Sequence, residues 1–233
     1  TWGPPPVLAT KQGSTLFLNV GDRAHLRGGD FRNIQDEEFG VYQEDGRTVV
    51  RAFGFEQSFT GITSIVAHMG DGNDLLYIDE SVSANLTASF TGGQNVVIYA
   101  GTGNANITVS GGNNEIYTSV GNDRITVTGG VNLIYLGEGN DEVDARTSSG
   151  TNTIFAEAGN NIIRGGLGND ILHGGTGNDI IFGTAGSNQI FGNEGNNTLH
   201  GGTGNDVITG GIGNDTIFGT AGNNTIFGTA GRN

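Results

Sequence analysis

The chain has 233 residues, 44 of them glycine, where an average protein carries about 7%. Cysteine is absent and proline numbers 3, which excludes disulfides, thiolate metal centres and collagen-like or proline-rich linker chains. Ten basic residues against 24 acidic ones leave a net charge of −14. That balance disfavours nucleic acid and anionic membrane surfaces, and no apolar run is long enough to span a bilayer. With apolar residues at 34%, the chain is either disordered or built on a sparse, very regular core.

In chain order, TWGPPP reads as an extended lead-in. Alternating runs follow, STLFLNV, FGVYQ, RTVVRAFGF and TSIVAH, and predict short strands. Between two of them EDGR, with Asp45-Gly46, predicts a hairpin turn. Residues 1–68 are therefore expected to form a small β cap, and 69–99, containing MGDGNDLLY, the irregular first coils of a repeat. The chain opens on Thr1, so it reads as a processed or excised piece. Its other end stops within a repeat at Asn233 with no cap of its own, which predicts a continuing array or an end that stacks on another molecule.

From residue 100 a period of nine takes over. Fourteen nonamers fill 100–227, interrupted by two extra residues, Ala145 and Arg146. Position four is always glycine, from Gly103 to Gly231, which predicts a backbone conformation with positive φ. Position eight is always Ile, Leu or Val, from Ile107 to Ile226, which predicts a short strand with one inward side chain. Two nonamers make an 18-residue coil, and coils stacked ~4.8 Å apart make a two-sheet rod. Helix is excluded by the Gly and Asn density, and disorder by an apolar phase held for so long. The fold class is thus all-β, a parallel solenoid of nine-residue repeats over 100–233 with a small N-terminal β cap.

GGLGNDILH, GGTGNDIIF, GGTGNDVIT and GGIGNDTIF, beginning at Gly165, Gly174, Gly201 and Gly210, carry a resemblance. They resemble the RTX, or haemolysin-type, calcium-binding repeat G-G-x-G-x-D-x-U-x at every defined position. The resemblance implies a parallel β-roll holding several Ca²⁺ ions between turns two nonamers apart, with secretion and folding on external calcium. It points to the acidic residues at position six: Asp74, Asp123, Asp141, Asp170, Asp179, Asp206 and Asp215. Asp and Asn alternate along each edge of the C-terminal half, so most sites offer one carboxylate and weak affinity is expected, about 10⁻⁴–10⁻³ M. Only Asp123 and Asp141 stack as a carboxylate pair, which makes them the expected strongest site. The all-Asn stretch, Asn114, Asn132 and Asn152, is read instead as a metal-free ladder of side chains.

No other constellation carries chemistry. His25, His68, His173 and His200 are scattered, and the last two read as exposed strand residues. No triad or acid pair separates itself from the turn acids, so an enzyme is not expected. Position three shows no regular Thr array of an ice-binding kind. At position nine one sheet carries an outward row, Tyr117, Tyr135, Phe155, His173, Phe191, Thr209 and Phe227, with Tyr99 before it. This row is either self-stacked stiffening or a sticky face for another chain or for sugar rings. The expected function is an extracellular calcium-loaded structural module of a bacterial surface layer, fibre or adhesin, self-associating end to end or laterally. The alternatives are an accessory folding and secretion domain of a secreted enzyme (protease, lipase or epimerase type), or a module that binds surface polysaccharide through the aromatic row.

Overall fold

A computed structural model describes residues 4–92 and 95–233. The first three residues of the TWGPPP lead, and Gly93 and Gln94 of the irregular first coils, lie outside the described residues. The chain winds into a parallel β-solenoid of about nine turns. An 11-stranded sheet faces a 12-stranded one, and successive strands of the coil alternate between them. The register advances by 18 residues per coil, as in Leu172↔Ile190 and Ile181↔Leu199. It advances by 20 where Ala145 and Arg146 intervene, as in Ile134↔Ile154.

The expected hairpin is present: Glu38–Glu44 pairs antiparallel with Arg47–Ala52, which pairs with Phe55–Phe59. A second hairpin, Ala9–Gln12 with Thr15–Leu18, ends the other sheet. Parallel stacking nevertheless reaches into this N-terminal region. Leu16 pairs with Ile65, Ile65 with Leu86, and Phe39 with Leu76, so three strands that look like cap in the sequence already have coil register.

The core is one continuous cluster running from Leu8 to Ile208. Position eight supplies its spine: Ile107, Ile116, Ile125, Ile134, Ile154 and Ile190 are all fully buried. A single inward aliphatic residue per nonamer suffices because the two sheets lie close together and positions six and one also point inward.

Glycine at position four has two physical causes, only one of them conformational. At Gly177 φ is +124°, a region side chains rarely adopt. A Cβ there would also overlap the carbonyl oxygen of Gly159 in the preceding coil. At Gly168 φ is not in that region, and the crowding of Gly150 O alone excludes a side chain. The expectation of positive φ throughout the series is corrected at Gly103, Gly150 and Gly168.

The outward rings stack on one another. Tyr99, Tyr117, Tyr135, Phe155, His173 and Phe191 form a continuous column, with centroids 4.4–5.4 Å apart and planes within 16°. Phe182, His200 and Phe218 repeat the pattern on the opposite sheet. His173 and His200 are therefore rungs of ring columns rather than simply exposed strand residues, and burial holds the His173 imidazole below the usual histidine range.

Candidate metal centre

Position six lies where each turn enters its strand, and the register sorts these residues into two columns. One runs Leu16, Ile65, Leu86, Ala105, Asp123, Asp141, Asn161, Asp179, Asn197, Asp215 and Asn233. The other runs Glu37, Asp74, Val96, Asn114, Asn132, Asn152, Asp170, Asn188, Asp206 and Asn224. All seven carboxylates predicted from sequence are buried members of these columns.

At position six, one oxygen of each acidic or amide side chain from Asp123 onward is committed to a ladder that runs between coils, while the Asn114 oxygen is buried without a partner. The backbone N–H of Asp123 donates to Asp141 Oδ1 at 2.7 Å, that of Asp179 to Asn197 Oδ1 at 2.8 Å, and that of Asn197 to Asp215 Oδ1 at 2.9 Å. Asp and Asn serve this ladder equally, so the second side-chain atom decides what each turn can hold. In the Asn turns that atom is an amide nitrogen. Asn188 Nδ2 donates to the carbonyls of Ala185, Gly186 and Gly201 at 3.2–3.4 Å. In the Asp turns it is an oxygen facing similar carbonyls with nothing to accept. The Oδ2 atoms of Asp74, Asp123, Asp141, Asp179, Asp206 and Asp215 are buried without a hydrogen-bond partner, while Asp170 Oδ2 accepts from the N–H of Gly166 at 2.6 Å. An unpaired buried carboxylate oxygen is costly. Burial raises the pKa of Asp123, Asp170 and Asp179 and pushes Asp141 up to about 7, with the charge of Asp123 adding to the effect.

Position one divides the seven. Asp170, Asp179, Asp206 and Asp215 share their turns with Gly165, Gly174, Gly201 and Gly210. A Cβ built on Gly201 would stand 2.6 Å from Asp206 Oδ2 and 2.8 Å from the carbonyl oxygen of Gly219 in the next coil. On Gly210 the distances are 2.6 Å to Asp215 Oδ2 and 2.9 Å to Gly228 O. Carboxylate and carbonyl oxygens thus converge beside a bare glycine, and a side chain would displace them. In the other three turns position one is Met69, Thr118 or Leu136. Leu136 is fully buried, and the Thr118 hydroxyl donates to Leu136 O, the carbonyl equivalent to Gly219 O.

The donor set is oxygen only, mixing carboxylate with peptide carbonyl, which suits a hard divalent cation such as calcium. Among the described residues no three His, Asp or Glu side chains converge, so any ion depends on backbone carbonyls as much as on carboxylates. The Asn turns at Asn161, Asn188, Asn197 and Asn224 do not fit a cation, because their oxygen is committed to the ladder and their amide carries a donor where a ligand oxygen is needed. The all-Asn stretch is the ladder the sequence predicts: Asn114 Nδ2 donates to Asn132 Oδ1 at 2.7 Å, and Asn132 Nδ2 to Asn152 Oδ1 at 2.6 Å.

Sequence reasoning missed a second ladder at position five. The N–H groups of Asn122, Asn140, Asn160, Asn178, Asn196 and Asn214 each donate to the Asn Oδ1 of the coil before, at 2.7–2.8 Å. The signal was there, since Asn fills position five of every coil on this edge from Asn104 to Asn214, where the other edge mixes Asn with Val131, Thr151 and Ser187.

The family described as RTX calcium-binding nonapeptide repeat matches residues 108–143, 146–181, 173–208, 182–217 and 209–233. No curated protein and no solved structure matches the chain.

Proposed function

The chain belongs to the RTX calcium-binding nonapeptide-repeat family, and we propose that it is a calcium-ordered structural rod that serves outside the cell. The repeat is a structural calcium-binding fold, and RTX repeat proteins are typically secreted. The observation that carries the reading is the set of buried Oδ2 atoms beside bare glycines, unpartnered at Asp179, Asp206 and Asp215 and bonded only to the Gly166 N–H at Asp170. Asp170, Asp179, Asp206 and Asp215 are the proposed ligands, each with turn carbonyls. Asp74, Asp123 and Asp141 rank below them because a side chain stands at position one of their turns. Bound calcium would supply the positive charge these oxygens lack. The chain's own part is to hold each carboxylate rigid through its ladder bond, keep the gap clear with glycine and exclude water by stacking the coils.

A stiff rod suits a surface layer, fibre or adhesin, and the columns of stacked rings, Tyr99 to Phe191 on one sheet and Phe182 to Phe218 on the other, with the amide ladders, support stiffness along its axis. Circular dichroism and melting of the chain with calcium and with EGTA test the reading. Loss of β signal and a lower melting temperature in EGTA are expected; identical traces would overturn it.

A second reading is favoured by one feature. Stacked rings spend their faces on each other, which leaves little for sugar to lie on. The stack breaks at its N-terminal end, where Tyr77 tilts 54° from Tyr99 and 38° from Tyr42. There a cavity of about 1000 Å³ is lined by these tyrosines, Phe53 and Phe55, with Glu38 and Arg51 beside them. Aromatic surface with a few polar groups fits a neutral oligosaccharide. Titration with cellohexaose and maltohexaose decides it: loss of binding in Tyr77→Ala supports a sugar site, and no binding of either removes it.

A further inference from the structure

The cap conceals one more turn of the solenoid, and that turn carries its own cation. Residues 35–37 stand to Asp74 as one repeat turn stands to the next. The Glu37 N–H donates to Asp74 Oδ1 at 3.0 Å, the inner ladder bond. The Asn73 N–H donates to Asp36 Oδ1 at 2.9 Å, the outer ladder bond. The carbonyl of Gln35 crowds Gly72 as Gly159 O crowds Gly177. Phe39 then takes position eight, paired with Leu76 and fully buried. By this register Gln35, Asp36 and Glu37 occupy positions four, five and six, although the sequence there, RNIQDEEFG, has no glycine at position four.

Glu37 is buried like the repeat carboxylates, yet both its oxygens are served. Oε2 accepts from the Gly21 N–H at 2.9 Å, and Oε1 meets Arg27 Nη1 at 2.5 Å, with both side chains almost wholly inaccessible. Arg27 Nη2 reaches the carbonyl of Ile34 at 3.4 Å, and its guanidinium lies over the Phe53 ring at 5.2 Å. A positive group thus bridges a position-six carboxylate and a turn carbonyl, the two kinds of donor that converge at Asp206 and Asp215. Between this turn and Gly165 the columns are largely filled from within. Leu16, Ile65, Leu86, Ala105 and Val96 put apolar side chains at position six, and Asn114, Asn132 and Asn152 bond to their neighbours. At Asp74, Asp123 and Asp141 position one carries a side chain.

We infer that Arg27 is a built-in counterpart of the calcium ion, and that the chain upstream of Gly165 is a calcium-independent stem on which calcium orders only the later coils. The inference rests on the calcium reading of those later coils. It makes the stem a template, since its last strands, Asn152–Phe155 and Ile162–Arg164, offer paired edges to the strands that follow.

Hydrogen exchange read by mass spectrometry on the full chain, in calcium and in EGTA, tests it. Peptides from 9–164 should keep their protection in both conditions, and peptides from 165–233 should lose at least tenfold in EGTA. Equal loss along all coils, or loss that begins in the cap, overturns the inference while leaving calcium binding intact. No response anywhere overturns the calcium reading itself. Arg27→Met supplies the second arm. With the guanidinium gone, protection around Leu75–Ile78 and Glu38–Glu44 should fall even in calcium, and Glu37→Gln in the same chain should restore it. Unchanged protection in Arg27→Met would contradict the role given to Arg27.

Discussion

An aspartate and an asparagine at position six differ by one atom, and in this roll that atom decides between an ion and a hydrogen bond. Asn197 and Asp179 sit in the same column with the same ladder bond, but only the aspartate leaves a buried oxygen unpartnered. Asp179→Asn should therefore raise stability in EGTA by about 1–2 kcal/mol, because the amide replaces an unsatisfied acceptor with a donor. It should also remove one calcium-binding step. A melt in EGTA that drops instead would show that the orphan oxygen is not a liability. Threonines at position two tell a related story. Thr220 has φ +69°, strained for a β-branched side chain, whereas the Asp coils use glycine there, as at Gly202 and Gly211. Thr220→Gly should add about 1 kcal/mol in a denaturant titration, and a loss would mean that its side chain contributes more than the strain costs.

Coils come in two kinds. Residues 165–182 and 201–218 place Asp on both edges, while 183–200 places Asn on both. Alternation keeps carboxylates from stacking directly, so each coil with two buried acids lies against one already satisfied by amides. Gly201→Ala tests the open turn. The added methyl meets both Asp206 Oδ2 and Gly219 O, so a loss of about 1–3 kcal/mol is expected, with weaker calcium response in the melt. A neutral outcome would mean the oxygens have other room. The period, the coil and the inward position eight were legible in the sequence because glycine and one aliphatic residue recur at fixed phase. Three features were not. Position one looked like unremarkable variation, since Leu136 and Gly174 matter only through what stands across from them. The direction of the Asn amides needed the ladder bonds to fix it. The hidden turn at 35–37 lacks the glycine by which the turns from Gly103 onward were recognised, and Arg27 reaches it from ten residues away in the chain.

For the whole molecule, charge and burial pull against each other, until an ion arrives at the glycine-opened turns and without that relief at Asp74 and Asp141. Asp141 and Asp74 are pushed up to about 7, in both cases chiefly by burial, from an ordinary value of 3.8. A carboxyl whose folded pKa lies above its unfolded one stabilises fully below the unfolded value. That stability is lost as pH rises through the folded value. Without calcium the melting temperature should thus fall between pH about 4 and about 7, and Asp141→Asn should flatten the slope. A calcium-free chain that gains stability over that range would contradict the burial argument. The account's central claim is that calcium binds where a position-six carboxylate faces a position-one glycine. Calorimetric titration of calcium into the EGTA-treated and dialysed chain, with each Asp→Asn variant alongside, tests this most directly. The account predicts that Asp170→Asn, Asp179→Asn, Asp206→Asn and Asp215→Asn each lose one ion, while Asp123→Asn and Asp141→Asn lose none. Loss of the tightest step in Asp123→Asn or Asp141→Asn, with the other four unchanged, would contradict it.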